Sequence, residues 1–231
     1  MRGRKKSPDI RAAILRCATE VFAQREFHEV LTDDIAAKLG IGKGTIYRYF
    51  DSKEALYFAT IVEGLKGMRA AVDEALRQPA PLAVIIQRLV ETILRYFWNR
   101  RDFFILLHRH EPKLDPRERA EWQQQREEVV EQVRGVLERA LPRPTLGRQH
   151  PRQAVEILFG MIRSAALFRA PGDRPAALAN VIAAAFLHGV TVNAAEVGRV
   201  TRGEGVAGAR LARPTVARRQ LQHRRGGKSI S

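Results

Sequence analysis

Apolar residues recur at helical spacing along almost the whole chain, and this periodicity constrains the fold more than any other feature. In residues 82–98, for example, Leu82, Ile86, Leu89 and Ile93 fall on one face of a helix. No region shows sustained strand alternation or paired hairpin turns. The sequence therefore predicts an all-α fold of about nine helices. The first follows Pro8, and the others span about 32–39, 43–50, 53–77, 82–98, 102–110, 116–141, 151–169 and 175–195.

Positive charge is concentrated at the C-terminal end of the chain. The formal net charge is +15 over 231 residues, and residues 199–231 alone contain nine basic side chains and one acidic one. Few large apolar side chains accompany these charges, so we expect this segment to be a disordered tail. A solvated tail is one interpretation, and non-specific attraction to phosphates is the other. Charge alone does not identify a polyanionic partner.

The single cysteine, Cys17, excludes an intrachain disulfide and a cysteine-rich metal site, which is typical of a cytoplasmic protein. Residues 1–8 are basic but no apolar segment follows them, so no secretory signal is expected. Residues 176–195 are uncharged and long enough to span a bilayer. Asn180 and His188 interrupt this segment, and its large apolar residues fall on one helical face. We therefore expect a buried helix here and no membrane partner.

Residues 31–56 carry the most informative pattern, LTDDIAAKLGIGKGTIYRYFDSKEAL. The pattern predicts two short amphipathic helices joined by a turn at 39–42, with Thr32 as the N-cap of the first. Gly44 has no side chain, so the second helix allows close approach of another molecule. A helix with such an outer face suits the major groove of DNA, where its first residues meet bases and flanking groups meet phosphates. The residues of the second helix that project outward, wholly or partly, are Lys43, Thr45, Tyr47, Arg48 and Tyr49.

Residues 8–56 resemble the DNA-binding domain of the TetR/AcrR family of bacterial regulators. The matching positions are Thr32 and residues 34–36, 39–41, 43–47, 49–50 and 52–54. Gly42 stands where the family usually has serine, which removes one possible hydroxyl contact. The resemblance implies the following contacts: Thr32, Tyr47, Tyr49 and Lys53 to phosphates, Lys43, Gly44 and Thr45 to bases, and Arg48 to either.

The same residues also allow interpretations without DNA. Tyr47 and Tyr49 could pack the short helices together, and Lys43, Arg48 and Lys53 could be ordinary solvated charges. A DNA-binding protein without sequence preference, driven by the basic tail, is a further alternative, and its salt dependence would distinguish it.

An enzyme is not predicted, because the sequence contains no Ser-His-Asp arrangement and no supported phosphate-binding loop. Residues 40–45 lack the spacing of a phosphate loop, and residues 203–208 match a dinucleotide fingerprint without the required strand–helix context. His108 and His110 point to different sides of a helix, so a shared metal ion is not expected. We expect no metal and no cofactor.

The resemblance also divides the chain and assigns partners to it. Residues 1–52 would form the helix–turn–helix DNA-binding domain, residues 53–198 a helical effector-binding and dimerisation domain, and residues 199–231 the tail. The implied protein is a cytoplasmic homodimer, most often a repressor, that binds a palindromic DNA operator. A small, largely apolar effector of unknown identity would release it, with the fourth helix joining the two domains.

Two sets of residues follow from this division. The fourth to seventh helices are expected to enclose the effector, with core packing as the alternative. The expected pocket residues are Met68, Tyr96, Phe97, Phe103, Phe104, Leu107, His108, Trp122 and Arg126. The last two helices are expected to pair with their symmetry mates in a four-helix interface, with core packing within one chain as the alternative. The expected interface residues are Leu158, Met161, Ile162, Ala165, Leu178, Val181, Ile182, Ala185, Phe186 and Gly189.

Overall fold

The structure is a computed structural model that describes residues 8–109, 116–140 and 151–191. These residues form nine α-helices, one short 3₁₀ turn at Phe27–Glu29, and no strand, which confirms the predicted all-α fold. The helices are α1 (Pro8–Gln24), α2 (Thr32–Leu39), α3 (Lys43–Tyr49), α4 (Lys53–Leu76), α5 (Leu82–Asn99), α6 (Arg101–His108), α7 (Pro116–Ala140), α8 (Pro151–Leu167) and α9 (Pro175–Thr191).

The first three helices enclose a small apolar core. Ile14 and Phe22 of α1, Ile35 of α2 and Ile46 of α3 are all buried. The Phe22 ring packs edge-on against Tyr57 of α4, with ring centroids 5.0 Å apart. The aromatic contact therefore joins this N-terminal unit to the long fourth helix.

Helix α4 begins with a side-chain cap, because the Ser52 hydroxyl accepts a hydrogen bond of 3.0 Å from the backbone N–H of Ala55. Along its length α4 contacts α1 near one end of the molecule and α5, α6 and α7 beyond it. Helix α5 packs against α4, α8 and α9, and α7 packs between α4 and α8. This arrangement leaves a cavity among α4, α5, α6, α7 and α8.

None of the helices in the described ranges is both long enough and apolar enough to cross a membrane. Helix α9 is the segment for which the sequence raised that question, and its Ala179, Ile182, Ala183 and Phe186 are buried. The basic tail at 199–231 lies outside the described residues, as does His110. The boundary proposed at residue 52 stays a prediction.

Candidate nucleic-acid interface and cavity

The turn between α2 and α3 is closed by backbone hydrogen bonds. The N–H of Ile41 donates to the carbonyl of Ala36 at 3.0 Å, and the N–H of Gly40 donates to Ala37 at 3.1 Å. This pair of bonds is a Schellman ending, which needs a left-handed residue. Gly40 supplies it with φ of 64°. The turn fixes α3 at a defined angle to α2.

Helix α3 presents its N-terminal half to solvent. Ile46 is buried beneath it, whereas Gly42, Lys43 and Gly44 are exposed. A Cβ atom at Gly42 or Gly44 would meet no other atom within 4 Å. Tyr47 is 41% exposed and lies one turn further along. The described chain therefore leaves this surface open to a large partner.

Lys43 is held by an acidic side chain of the neighbouring helix. Its ammonium donates a hydrogen bond of 2.7 Å to Asp33 Oδ2. That bond raises the pKa of Lys43, so its positive charge is secure at neutral pH. Because both side chains are largely exposed, the pair is weak and Lys43 can exchange Asp33 for another acceptor.

Thr32 is not the N-cap of α2, and this expectation was wrong. Leu31 is the N-cap residue, and Thr32 is the first residue of the helix, only 5% exposed. The Thr32 hydroxyl lies 3.2 Å from the Tyr47 hydroxyl, and either can donate. Burial at the α2–α3 contact explains the difference, because the threonine side chain turns toward α3 instead of its own helix. Tyr47 thus places a phenol hydroxyl at the start of α2.

Lys53 is occupied within the protein. Its ammonium donates to the carbonyls of Phe27 at 2.8 Å and Val30 at 3.0 Å, and lies 4.3 Å from the centre of the Phe27 ring. These contacts tie the start of α4 to the connection between α1 and α2. A phosphate contact by Lys53 stays a prediction.

The remaining predicted residues of α3 lie along one side of the helix. Thr45, Arg48 and Tyr49 are each half-buried. The Arg48 guanidinium lies 5.4 Å from the centre of the Tyr49 ring, so these two side chains are in contact at the C-terminal end of α3.

The cavity has a volume of about 320 Å³, within the range of small-molecule sites. Six of the nine expected pocket residues line it: Met68, Phe97, Leu107, His108, Trp122 and Arg126. Sequence reasoning missed the other eight, which are Leu65, Ile93, Val129, Glu156, Phe159, Gly160, Ile162 and Arg163. The apolar periodicity of α4, α5, α7 and α8 indicates that most of these residues face inward. It does not distinguish residues that line the cavity from residues that pack in the core.

Three expected pocket residues lie elsewhere in the packing. The Tyr96 hydroxyl donates to the carbonyl of Gly64 on α4 at 2.8 Å. The Phe103 ring lies against Gly64 so closely that a Cβ atom there would be 2.1 Å from it. Phe104 is buried with its ring edge-on to Phe97, at 4.9 Å between centroids. These aromatic residues pack α5 and α6 onto α4 and do not line the cavity.

The polar side of the cavity comes from three helices. Arg126 of α7 forms an ion pair with Glu156 of α8, and Arg163, two turns further along α8, also lines the cavity. His108 Nδ1 donates to the carbonyl of Phe104 at 2.9 Å, since a carbonyl can only accept. Burial, together with the positive charge of Arg163, lowers the pKa of His108, whereas that hydrogen bond opposes the shift.

The residue after His108 connects α6 to the N-terminal unit. Arg109 Nη1 donates to the carbonyls of Phe22 and Arg25, both at 2.8 Å. Arg109 Nη2 donates to Ala23 at 3.1 Å. The carbonyls at the end of a helix lack partners within it, so this guanidinium completes the C-terminus of α1.

The expected interface residues divide into two groups. Leu158, Ile162, Ile182 and Phe186 are buried within the protomer, and Ile162 also lines the cavity. The other group is exposed or half-buried: Met161, Ala165, Leu178, Val181, Ala185 and Gly189. Two exposed apolar residues that sequence reasoning missed, Ile157 and Phe168, lie on the same two-helix segment and are 61% and 79% exposed.

Within the described residues, no three histidine, cysteine, aspartate or glutamate side chains come close enough to hold a metal ion. Cys17 is buried and reduced, with Sγ 4.0 Å from the carbonyl of Ile35, and burial raises the pKa of its thiol. It packs as a core residue.

Family comparisons match both parts of the chain. The family model described as bacterial regulatory proteins, tetR family, matches residues 14–60. The model described as tetracyclin repressor-like, C-terminal domain, matches residues 86–190.

Curated relatives match over part of their length. The uncharacterized HTH-type transcriptional regulator YhgD of Bacillus subtilis is 33% identical over 90 residues, covering 39% of this chain and 47% of that protein. The HTH-type transcriptional regulator EthR of Mycolicibacterium smegmatis is 34% identical over 95 residues, covering 41% and 44%. The matched region of this chain spans about half the length of these relatives.

Solved structures match over most of the chain. PfmR, a TetR family regulator of Thermus thermophilus, aligns with a TM-score of 0.67 and 24% identity, covering 76% of this chain and 97% of that one. FadR of Bacillus subtilis, solved in complex with stearoyl-CoA, aligns with a TM-score of 0.67 and 18% identity, covering 77% and 98%. At these identities the alignments show a shared fold.

Proposed function

The chain belongs to the TetR family of bacterial regulatory proteins, and from this we propose that it is a homodimeric, cytoplasmic repressor of transcription. It binds a palindromic DNA operator through α3 and is released by a small, largely apolar ligand. The observation that carries the proposal is the open face of α3, where Gly42, Lys43 and Gly44 are exposed with no atom of the described chain above the two glycines.

In the proposed complex, Lys43, Gly44 and Thr45 meet base edges, and Tyr47 meets a phosphate. Lysine donates to guanine O6 and N7, and a hydroxyl donates to phosphate oxygens. Lys43 releases Asp33 when it does so. Thr32 contributes by orienting Tyr47, because its buried hydroxyl lies beside that phenol.

A dimer gives the two α3 helices a fixed separation. Two recognition helices about 34–36 Å apart enter successive major grooves on one side of the duplex. The proposed interface consists of the exposed apolar side chains of α8, α9 and the residue that follows α8, with Ile157, Val181 and Phe168 foremost. An isologous contact would bury the same residues on both protomers.

The cavity is the proposed effector site, and α4 links it to the DNA-binding unit. Leu65 and Met68 of α4 line the cavity, and the same helix contacts α1 nearer its start. A ligand that prefers the conformation with widely spaced α3 helices lowers operator affinity. A coupling of about 1–3 kcal/mol is enough to change affinity about 5- to 150-fold.

Selection of bound duplexes from a random pool, followed by footprinting, tests the proposal. The full chain should enrich a palindrome, protect two half-sites about one helical turn apart, and bind with the mass of at least two protomers. Failure to enrich any palindrome, or a complex with one protomer, contradicts it.

The second candidate is non-specific DNA binding by the basic tail, favoured by the nine cations of residues 199–231. Replacing Arg218, Arg219, Arg224 and Arg225 with glutamine in the full chain separates the two functions. A repressor keeps its preference for the selected palindrome over random DNA, whereas a tail-driven binder loses most of its affinity for both.

A further inference from the structure

The cavity is apolar over most of its wall and positively charged at one side. Leu65, Ile93, Phe97 and Phe159 are among its apolar lining residues. The ionisable lining residues are His108, Arg126, Glu156 and Arg163. Two arginines face one glutamate in this set, so the polar side carries one excess positive charge while His108 is neutral.

The excess charge belongs to Arg163, an exposed residue of α8 that also lines the cavity. Arg126 and Glu156 neutralise each other in an ion pair. In the described part of the chain, no carboxylate lies within ion-pair distance of Arg163. A cation beside an apolar cavity favours a ligand that brings the missing negative charge, and an arginine–carboxylate pair fixes the orientation of that ligand.

We propose that the ligand is an amphipathic monoanion, with an apolar body in the cavity and a carboxylate-like head at Arg163. This inference rests on the proposed effector role of the cavity. The volume of about 320 Å³ corresponds to about ten water-sized groups, so the apolar body contains about ten or more non-hydrogen atoms. A neutral alcohol of the same length fills the cavity but leaves Arg163 without a partner, and an amine adds a like charge beside it.

Calorimetric titration of the full-length protein with decanoate, decyl sulfate, decanol and decylamine tests the charge. We expect decanoate or decyl sulfate to bind at least tenfold more tightly than decanol, and decylamine to bind most weakly. Preference for decanoate over decyl sulfate identifies a carboxylate head, and the reverse order identifies a sulfate- or phosphate-like one. Equal affinities for anion and alcohol, tighter binding of the amine, or no binding of either anion overturns the proposal.

Two substitutions assign the effect to one residue. Arg163→Gln should reduce the preference for the anion over decanol to less than threefold, and Arg163→Lys should keep most of it, which controls for damage to the fold. Arg152→Gln is the matched control, because Arg152 lies on the same helix, pairs with Glu127 and does not line this cavity. An unchanged preference in Arg163→Gln contradicts the assignment.

Adding decanoate and decanol to the complex of the protein with its operator distinguishes this inference from the proposed function. If decanoate binds selectively but leaves the operator complex intact, the ligand class stands and the effector role fails. If decanol releases the operator as well as decanoate does, the effector role stands and the ligand class fails.

A separate observation concerns how the cavity reaches α1. His108 lines the cavity, and Arg109, the next residue, donates to three carbonyls at the end of α1. The N–H of Arg109 donates to the carbonyl of Ile105 at 3.0 Å, so both residues are fixed to the last turn of α6. A movement of that turn displaces the guanidinium relative to α1.

We infer that Arg109 is a positioning residue that transmits occupancy of the cavity to the DNA-binding unit. A cavity-filling substitution tests this without any ligand. Val129 lines the cavity and is buried, so a larger side chain there takes up cavity space. Val129→Phe should therefore imitate an occupied cavity and weaken operator binding about tenfold, a change within the usual range of coupling between sites.

In the Arg109→Gln background, the same Val129→Phe substitution should change operator affinity less than twofold. Arg101→Gln is the matched control, because Arg101 of α6 also donates to a helix-end carbonyl, but to that of Ala166 on α8. Val129→Phe should keep its full effect in that background. Additive effects of Val129→Phe and Arg109→Gln, or no effect of Val129→Phe alone, overturn the inference.

Discussion

The helix–turn–helix and the cavity are built from contacts of very different range along the chain. In the helix–turn–helix, Asp33 contacts Lys43 ten residues away and Thr32 contacts Tyr47 fifteen residues away. In the cavity, Leu65 of α4 and Arg163 of α8 share one wall although nearly a hundred residues separate them. A local pattern specifies the first arrangement, whereas the packing of five helices specifies the second.

The largest effect is expected in the helix–turn–helix, where substitutions in α3 should abolish most of the DNA binding. We expect Lys43→Ala and Tyr47→Ala each to weaken operator binding by about 100-fold or more, since both protomers of the proposed dimer would lose a contact to DNA. Decanoate binding by both variants and thermal unfolding of Lys43→Ala should stay unchanged, whereas Tyr47→Ala should unfold at a slightly lower temperature, because it removes the partner of the buried Thr32 hydroxyl. Lys38→Ala is the control, because Lys38 is equally exposed and paired, with Glu20 at 2.8 Å, but lies on α2. Unchanged operator affinity in both α3 variants contradicts the assigned role of this helix.

The sequence predicts this region well because its polar residues act within one supersecondary unit. The exposure of Lys43 and Gly44 follows from the spacing of Ile46 and Phe50, which are buried. Thr32 is the exception, because its burial depends on contact with Tyr47 of the next helix. In the cavity, spacing marked Phe103 as inward-facing, but only the assembled fold shows that it packs on Gly64.

The next largest effect is expected at the contact between Gly64 and Phe103, which no local sequence pattern reveals. Gly64→Ala would place a Cβ atom 2.1 Å from the Phe103 ring, so α4 and α6 must separate. We expect a loss of about 1–3 kcal/mol in the free energy of unfolding, measured by denaturant titration. Gly160→Ala is the control, because a Cβ atom there meets nothing within 4 Å and alanine favours the helix by about 0.5–1 kcal/mol. Equal stability of the two variants contradicts the tight contact.

A smaller effect is expected at the N-terminus of α4. Ser52 precedes α4, and its hydroxyl accepts a hydrogen bond from Ala55 N–H at 3.0 Å. We expect Ser52→Ala to lower the free energy of unfolding by about 1 kcal/mol, and Ser52→Asp to preserve it, because aspartate is an equally good N-cap. Denaturant titration of the three proteins checks this, and a loss in Ser52→Asp as large as in Ser52→Ala would mean that capping is not the cause.

The smallest effect is a pH dependence of stability that only the tertiary structure reveals. His108 is half-buried beside Arg163, and burial followed by that charge lowers its pKa below the ordinary value of 6.5, against the opposing bond to Phe104. The folded state therefore favours the neutral imidazole more than the unfolded state does. The contribution of neutral His108 to the free energy of unfolding is complete above pH 6.5, and it is lost as the pH falls through the lowered pKa that His108 has in the folded protein.

Denaturant titration at about pH 7.5 and about pH 5, on either side of the ordinary histidine pKa, should therefore show a larger loss of stability in the wild type than in His108→Asn. His28→Asn is the control, because His28 is exposed on the 3₁₀ turn and should leave the loss unchanged. If His108→Asn and the wild type lose the same stability on acidification, the burial of His108 does not govern its protonation. Bound decanoate should reduce the difference between the wild type and His108→Asn, because a negative charge near His108 favours the imidazolium form that burial disfavours.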